Sequence, residues 1–287
     1  MHFTYFSYPV LYKRKFVATI HDTTPLNFKT GKASTKNPLL YKLKHIAFKF
    51  VISQQIKNAQ AIISPTKTVK KQLLNIFGNK YESKIFPIYE GIDYELMNLK
   101  NISSNVKHLT SNIPFFIYVG NFYPHKNVER LIQAFAKVKK DIRLILLGPD
   151  DYFSKRLFQL INRLKQEKRI VFYHNPSRDD LVFFYKNAQA LIHPSLSEGF
   201  GLPLAEAAYF KLPIIASNID VFREILDGNY ISFNPTDVND IAAKIKQFLS
   251  QKIKYSYDSV LKKFSFKAMT NKTLEIYQKN LRQEADI

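Results

Sequence analysis

Short apolar runs recur along this chain, each closed by glycine, proline or small polar residues. They are Phe16–Ile20, Ala61–Thr66, Phe115–Gly120, Arg143–Gly148, Arg169–Tyr173, Ala188–Ile192, Pro213–Ser217 and Ile231–Phe233. Runs this short, with turn residues at their ends, fit buried strands. Stretches of helical spacing lie between them. Lys67–Phe77, a segment from Val128, one at Pro203, Val238–Leu249 and Lys267–Arg282 are predicted helices. Ser177, with Asp180 three residues on, marks a capped helix start. Strands alternating with helices predict an α/β fold.

One helical stretch leaves two readings open. From Leu39 onward, Leu39, Leu43, Ile46, Ala47, Phe50 and Val51 keep helical spacing, with Lys42, His45 and Lys49 on another face. It is either an ordinary surface helix with solvated lysines or a basic amphipathic face resting on anionic lipid.

The chain is organised around His193-Pro194-Ser195-Leu196-Ser197-Glu198-Gly199-Phe200-Gly201-Leu202-Pro203-Leu204-Ala205-Glu206. A strand feeds it, a glycine loop follows, and Pro203 sits in a first helical turn, where its missing N–H costs nothing. Such a junction gathers backbone N–H groups and the positive end of the helix dipole, which suits an anion. Glu198 in the loop and Glu206 in the helix bracket it, so the pocket suits a phosphorylated, hydroxyl-rich ligand. Phe115–Gly120, the loop Asn121–Asn127 and the helix from Val128 repeat the same shape, with Lys126 before the helix. His21-Asp22 stands at the end of the strand Phe16–Ile20, the edge where open α/β sheets bind ligands. Asp150-Asp151 opens another loop; such carboxylates serve a helix dipole more often than a metal.

Composition narrows the field. The 287 residues suffice for two domains, and 46% hydrophobic content allows a sizeable core. There are no cysteines, which excludes disulfides, thiolate metal sites and a cysteine nucleophile. No apolar run is long enough to span a membrane and no signal peptide is visible. The net charge is +20, and from Thr23 to Tyr81 there are eleven lysines and no acidic residue. Such a field attracts nucleic acid or an anionic membrane. The aromatic residues lie mostly in apolar strand patterns, however, and no nucleic-acid-binding signature is present.

The central stretch resembles the signature of the retaining, two-domain (GT-B type) glycosyltransferases of family 4. Pro194-Ser195 is followed by Glu198-Gly199-Phe200-Gly201-Leu202-Pro203, with Glu206 eight positions after Glu198. Lys211-Leu212-Pro213-Ile214-Ile215-Ala216-Ser217, Glu224 and Phe233-Asn234-Pro235-Thr236-Asp237 continue the likeness. His21-Asp22-Thr23-Thr24-Pro25-Leu26 resembles the acceptor-domain motif, and Glu90-Gly91-Ile92-Asp93 resembles Asn-Gly-Val-Asp with Glu90 in place of Asn. Asn121 stands where the family carries an Arg, and Pro124-His125-Lys126-Asn127 is similar to the Pro-x-Lys-Asn of a mannosyl- or related subgroup.

The resemblance implies two Rossmann-like domains facing a cleft. Residues 1–100 would form an acceptor-side domain and residues 101–265 a nucleotide-sugar-binding domain, with Asn98 to Asn112 as linker. Residues 266–287 would be a helix crossing back to the first domain. A doubly wound domain needs about 100 to 150 residues, and Met1 to Asp22 resembles the middle of the family's first domain. The expectation is therefore an incomplete first domain that lacks its opening strands.

The implied activity is transfer of a sugar from a nucleoside-diphosphate sugar to a glycan or lipid-linked acceptor, with retention at the anomeric carbon. GDP-mannose is the favoured donor and a bacterial cell-envelope polysaccharide the favoured product. No cofactor and no metal are expected. His21, Glu198 and Lys126 are the catalytic candidates. Gly120, Asn121, Lys126, Gly148, Asn175, Glu198, Gly199, Phe200, Gly201, Leu202 and Glu206 are the donor-binding candidates. The expected location is cytoplasmic, with peripheral contact at the inner membrane face where the basic-helix reading holds. A catalytically inactive nucleotide-binding remnant and a basic nucleic-acid-binding protein are the alternatives.

Overall fold

Ten strands in two all-parallel sheets carry the architecture among the described residues of a computed structural model. Those residues are 1–6, 8–28, 38–92, 113–251 and 255–282. The predicted linker from Asn98 to Asn112, Asp93, and the lysines at 29, 32 and 36 lie outside them. The chain divides into two units. The first comprises Met1–Gly91, Glu198–Phe200 and Lys263–Ile287; the second comprises Ile92–Ser197 and Gly201–Lys262.

The first unit holds a four-stranded sheet in sequence order: β1 (His2–Phe3), β2 (Val17–Thr19), β3 (Ala61–Ser64) and β4 (Ile85–Pro87). Strand β4 was not among the predicted elements, and neither was the two-residue strand β1. It pairs His2 with Val17 and Phe3 with Ala18. Side chains alternate across the sheet as the pleat requires. Phe16, Ala18, Ile20 and Ile62 pack with Ile52, Ile56, Val69 and Leu73 from the helices Pro38–Asn58 and Lys67–Phe77. Val17, Ala61 and Ile63 pack on the opposite face with Ile276, Met269 and Tyr277 of the helix Phe266–Arg282. Both faces are covered, which is why these strands read as continuous apolar runs.

The helix Pro38–Asn58 is buried only through its second half, at Ile52, Gln55 and Ile56. Phe48 is partly buried against the same core, while most described apolar residues before it are solvent-exposed. Leu39, Leu43, Ile46 and Phe50 keep 54–67% of their surface, and Lys42, Lys44 and Lys49 are exposed beside them.

The second unit is a six-stranded sheet in the order β10-β9-β8-β5-β6-β7. The strands are β5 (Phe115–Val119), β6 (Arg143–Gly148), β7 (Ile170–His174), β8 (Ala190–His193), β9 (Ile214–Ser217) and β10 (Ile231–Phe233). The sequence runs outward from β5 to β7, then returns to β8 on the other side of β5. That reversal is the doubly wound pattern, and it opens a crevice beyond the carboxyl ends of β5 and β8. Phe116, Tyr118, Leu144, Leu146, Ile192 and Ile215 form a core with Leu131, Phe135, Ile161, Ile241 and Ile245 from the covering helices.

Candidate donor-binding site

The loops after β5 and β8 flank the crevice at the strand-order reversal, and the second unit ties them together. Leu196 N–H donates to the His125 carbonyl at 2.8 Å. The Asn127 side-chain amide donates to Pro194 O at 3.0 Å and to Pro235 O at 2.7 Å. Asn127 is buried and left-handed, with φ 59°, so a capping-type residue here joins three loops instead of capping the helix Val128–Ala136. The sequence signal was an Asn directly before a helix, a position that ordinarily marks an N-cap. The outcome is that Lys126, half-buried in a single tight turn Pro124–Lys126, is fixed beside the Pro194–Leu196 segment.

The glycines of the site act by close approach. Gly120, φ +145°, ends β5 and donates its N–H to Leu147 O at 3.0 Å. A Cβ at Gly148 would lie 2.3 Å from Gly120 O, so the two strand ends meet only without a side chain there. Asn175, exposed and with φ 50°, follows β7 and donates its N–H to Gly148 O. Asn121 shapes the turn: its carbonyl accepts the Tyr118 hydroxyl at 2.5 Å and its side-chain oxygen accepts Tyr123 N–H at 3.4 Å. Gly120, Asn121, Lys126, Gly148 and Asn175 therefore all lie along the carboxyl edge of one sheet.

The helix Leu202–Tyr209 begins at that edge. Gly201 precedes it with φ +98°, a backbone conformation that favours glycine, and Pro203 lies in its first turn. Leu202 is exposed and Glu206 half-buried. Glu206 Oε2 accepts the Tyr185 hydroxyl at 2.6 Å. Tyr185, fully buried and stacked on Phe210, has its phenol held well above the ordinary range by burial first and by Glu206 second. It is thus a permanent donor that fixes one carboxylate oxygen. The sequence reading did not single out Tyr185; its signal was a hydroxyl within the apolar run Leu181–Tyr185, since a buried Tyr must find a partner.

His193 is structural: buried, stacked on Tyr118 at 5.7 Å and edge-on to Phe222. Asp151 accepts N–H bonds from Phe153 and Ser154 and caps the helix Tyr152–Arg163.

The remaining site candidates belong to the first unit. His21 follows β2, Thr66 follows β3 and Glu90 follows β4, so three consecutive strand ends converge. His21 Nδ1 lies 2.9 Å from Glu90 Oε1, and Nε2 lies 2.9 Å from Thr4 O. The hydrogen bond that His21 donates to Glu90 is the main cause that raises the His21 pKa above its ordinary value, against partial burial. Glu198 is half-buried within the Glu198–Phe200 segment of this unit. Gly199 O accepts the Thr66 hydroxyl at 3.1 Å, and a Cβ on Gly199 would fall 1.8 Å from His21 O. The Phe200 ring is buried with Tyr89 and Phe264, so its side chain anchors the loop. The structure thus groups His21, Glu198, Gly199 and Phe200 in one unit, and Gly120, Asn121, Lys126, Gly148, Asn175, Gly201, Leu202 and Glu206 in the other.

Known proteins resemble this chain in sequence and in fold. The pattern of the family Glycosyl transferases group 1 matches residues 100–262, more than half of the chain. O-antigen chain mannosyltransferase RfbU of Salmonella typhimurium is 30% identical over 239 residues, 81% of this chain and 64% of that protein. O-antigen chain mannosyltransferase B of Escherichia coli is 30% identical over 176 residues, 57% of this chain and 45% of that protein. The chain thus spans less than two thirds of the length of either. Among solved structures, Anabaena Alr3699/HepE in complex with UDP and glucose superposes with a TM-score of 0.77 at 19% identity, over 93% of this chain and 72% of that one. Sucrose-phosphate synthase from Thermosynechococcus elongatus gives 0.76 at 18% identity, over 95% and 69%. These likenesses establish an α/β fold of the GT-B type. On the family match and the relative at 30% identity, the chain belongs to the glycosyl transferases group 1 family.

Proposed function

We propose that this chain is a glycosyltransferase of family 4 that moves a sugar, mannose in the favoured reading, from a nucleoside-diphosphate sugar to a glycan or lipid-linked acceptor of a bacterial cell envelope. The observation that carries this is the stitched pair of loops beyond β5 and β8, with Lys126 on one and the helix of Glu206 on the other. The mannosyltransferase names of the O-antigen relatives support the sugar, and GDP is then the favoured nucleotide.

In this reading Lys126 and the amides of Gly199 to Leu202 bind the diphosphate. Gly120, Asn121, Gly148 and Asn175 let its backbone and base approach the sheet edge. Glu206, with one oxygen fixed by Tyr185, accepts the ribose hydroxyls through the other. Glu198 and His21 hold hydroxyls of the transferred sugar. The bond from the anomeric carbon to the phosphate oxygen breaks and its electron pair leaves with the diphosphate. The cation Lys126 and the helix start stabilise that charge as it develops. The acceptor oxygen bonds to the anomeric carbon on the face just vacated, which retains configuration, and its proton passes to the leaving phosphate. No step calls for a metal.

The test is turnover of GDP-mannose with a lipid-linked or glycan acceptor, compared with binding of GDP. Glu198→Ala is expected to slow transfer far more than it weakens GDP binding. Normal transfer by that variant removes its sugar-holding role. GDP binding without any turnover by the wild type favours the inactive remnant. Salt-sensitive RNA binding without nucleotide binding favours the nucleic-acid reading.

The exposed stripe Leu39, Leu43, Ile46 and Phe50, with lysines beside it and no acidic residue from Thr23 to Tyr81, supports a peripheral contact with an anionic bilayer. No described helix is long and apolar enough to cross a membrane.

A further inference from the structure

We propose that Glu90 is a positioning residue that holds His21 as a doubly donating imidazolium, so that the ring presents an N–H, and a positive charge, to an oxygen of the transferred sugar. This rests on the reading above for what His21 touches, but not for its charge state. The geometry is specific. Nδ1 faces the Glu90 carboxylate and Nε2 faces the Thr4 carbonyl, each at 2.9 Å. Both partners only accept. A neutral imidazole has one N–H and one lone pair, so in either tautomer one of these contacts would set a lone pair against an oxygen. Only the protonated ring satisfies both. The two partners differ in kind: Glu90 offers a carboxyl group, 22% exposed, while Thr4 O is a backbone carbonyl at the exposed side of the ring. An incoming sugar oxygen can replace Thr4 O while Glu90 keeps hold of Nδ1–H and the ring orientation.

The other groups around the ring act in known directions. Asp22 also favours the charged ring, although its Oδ1 is engaged by Thr24 N–H at 2.7 Å. His2 of β1, whose Nε2 meets Thr19 Oγ1 at 2.8 Å, has its own pKa lowered by burial first and by neighbouring positive charge, His21 included. It is therefore a weak opponent of the His21 charge. Burial of His21 opposes the charge too, and the Glu90 bond outweighs it.

The experiment has two arms on the full chain. The first follows the imidazole NMR signals through a pH titration without any ligand, with His21→Gln identifying the His21 signal. Wild-type His21 is expected to titrate above about 6.5, the unperturbed value. Glu90→Gln should lower its midpoint by about one unit or more, since a paired carboxylate commonly moves a neighbour by one to three. Glu90→Asp should restore part of the shift, and Asp22→Asn should cost less than Glu90→Gln. An unchanged midpoint in Glu90→Gln, with the fold intact by circular dichroism, overturns the proposal. The second arm is the pH profile of donor turnover, whose alkaline limb should move to lower pH in Glu90→Gln. A shifted NMR midpoint beside an unmoved profile leaves the imidazolium standing and overturns its role at the sugar.

Discussion

At the scale of single residues, the account turns on side chains that hold other side chains. Tyr185 holds Glu206 and Glu90 holds His21, each through one short contact. Tyr185→Phe removes only a hydroxyl from a buried ring. Its expected effect is a two- to tenfold weaker nucleotide affinity by calorimetry, about the worth of one hydrogen bond, with the thermal midpoint little changed. Unaltered affinity would mean that Glu206 needs no fixing. The catalytic candidates were legible in the sequence because their types and order form a pattern: Glu198, Gly199, Gly201, Pro203 and Glu206 lie within one short stretch. Their supports were not, because Tyr185 and Asn127 act across separations of 21 and 67 residues, which no local pattern reports. Gly148 was legible as a strand end, but the reason it must be glycine, the closeness of Gly120 O, needed the structure.

At the scale of elements, the capped start predicted at Ser177 is present, and the structure adds one at Thr66. Thr66 caps Lys67–Phe77 through Val69 N–H, and Ser177 and Asp180 form the reciprocal capping box of Arg178–Asn187. The strand β1 escaped because two residues carry no periodicity; only pairing with β2 defines it. The helix Pro38–Asn58 shows the limit of apolar spacing as a guide. Its regular stripe predicts a contact, yet Val51 is the one member that packs on the core, beside Ile52 and Ile56, which lie outside the stripe. Leu39, Leu43, Ile46 and Phe50 are left to solvent among the described residues, a surface that costs free energy in water. Leu43→Glu with Phe50→Glu should abolish sedimentation with phosphatidylglycerol vesicles while leaving the thermal midpoint within a degree or two, since neither side chain is buried. Equal sedimentation of the variant and the wild type would show that the stripe does not meet the bilayer.

At the scale of the whole molecule, the described residues form two parallel sheets, each with its own core, and the helix Phe266–Arg282 belongs to the first unit and not the second. Segments remote in sequence, Glu198–Phe200 and Lys263 onward, thus join residues 1–91. The alternation of strand and helix announced the α/β class, and the second unit's order of strands is what turns that class into a site, by opening the crevice between β5 and β8. The charge of +20 belongs to this scale as well: it favours a nucleoside diphosphate and an anionic bilayer alike, so salt should weaken both. The central claim is that the crevice in the second unit takes a nucleotide's diphosphate, and calorimetric titration of GDP, UDP and ADP into the wild type and Lys126→Ala tests it most directly. The account predicts saturable binding, tightest for GDP, that falls about 10- to 100-fold in the variant, the worth of one charged hydrogen bond. Binding of none of the three, or equal binding by the variant, would contradict it.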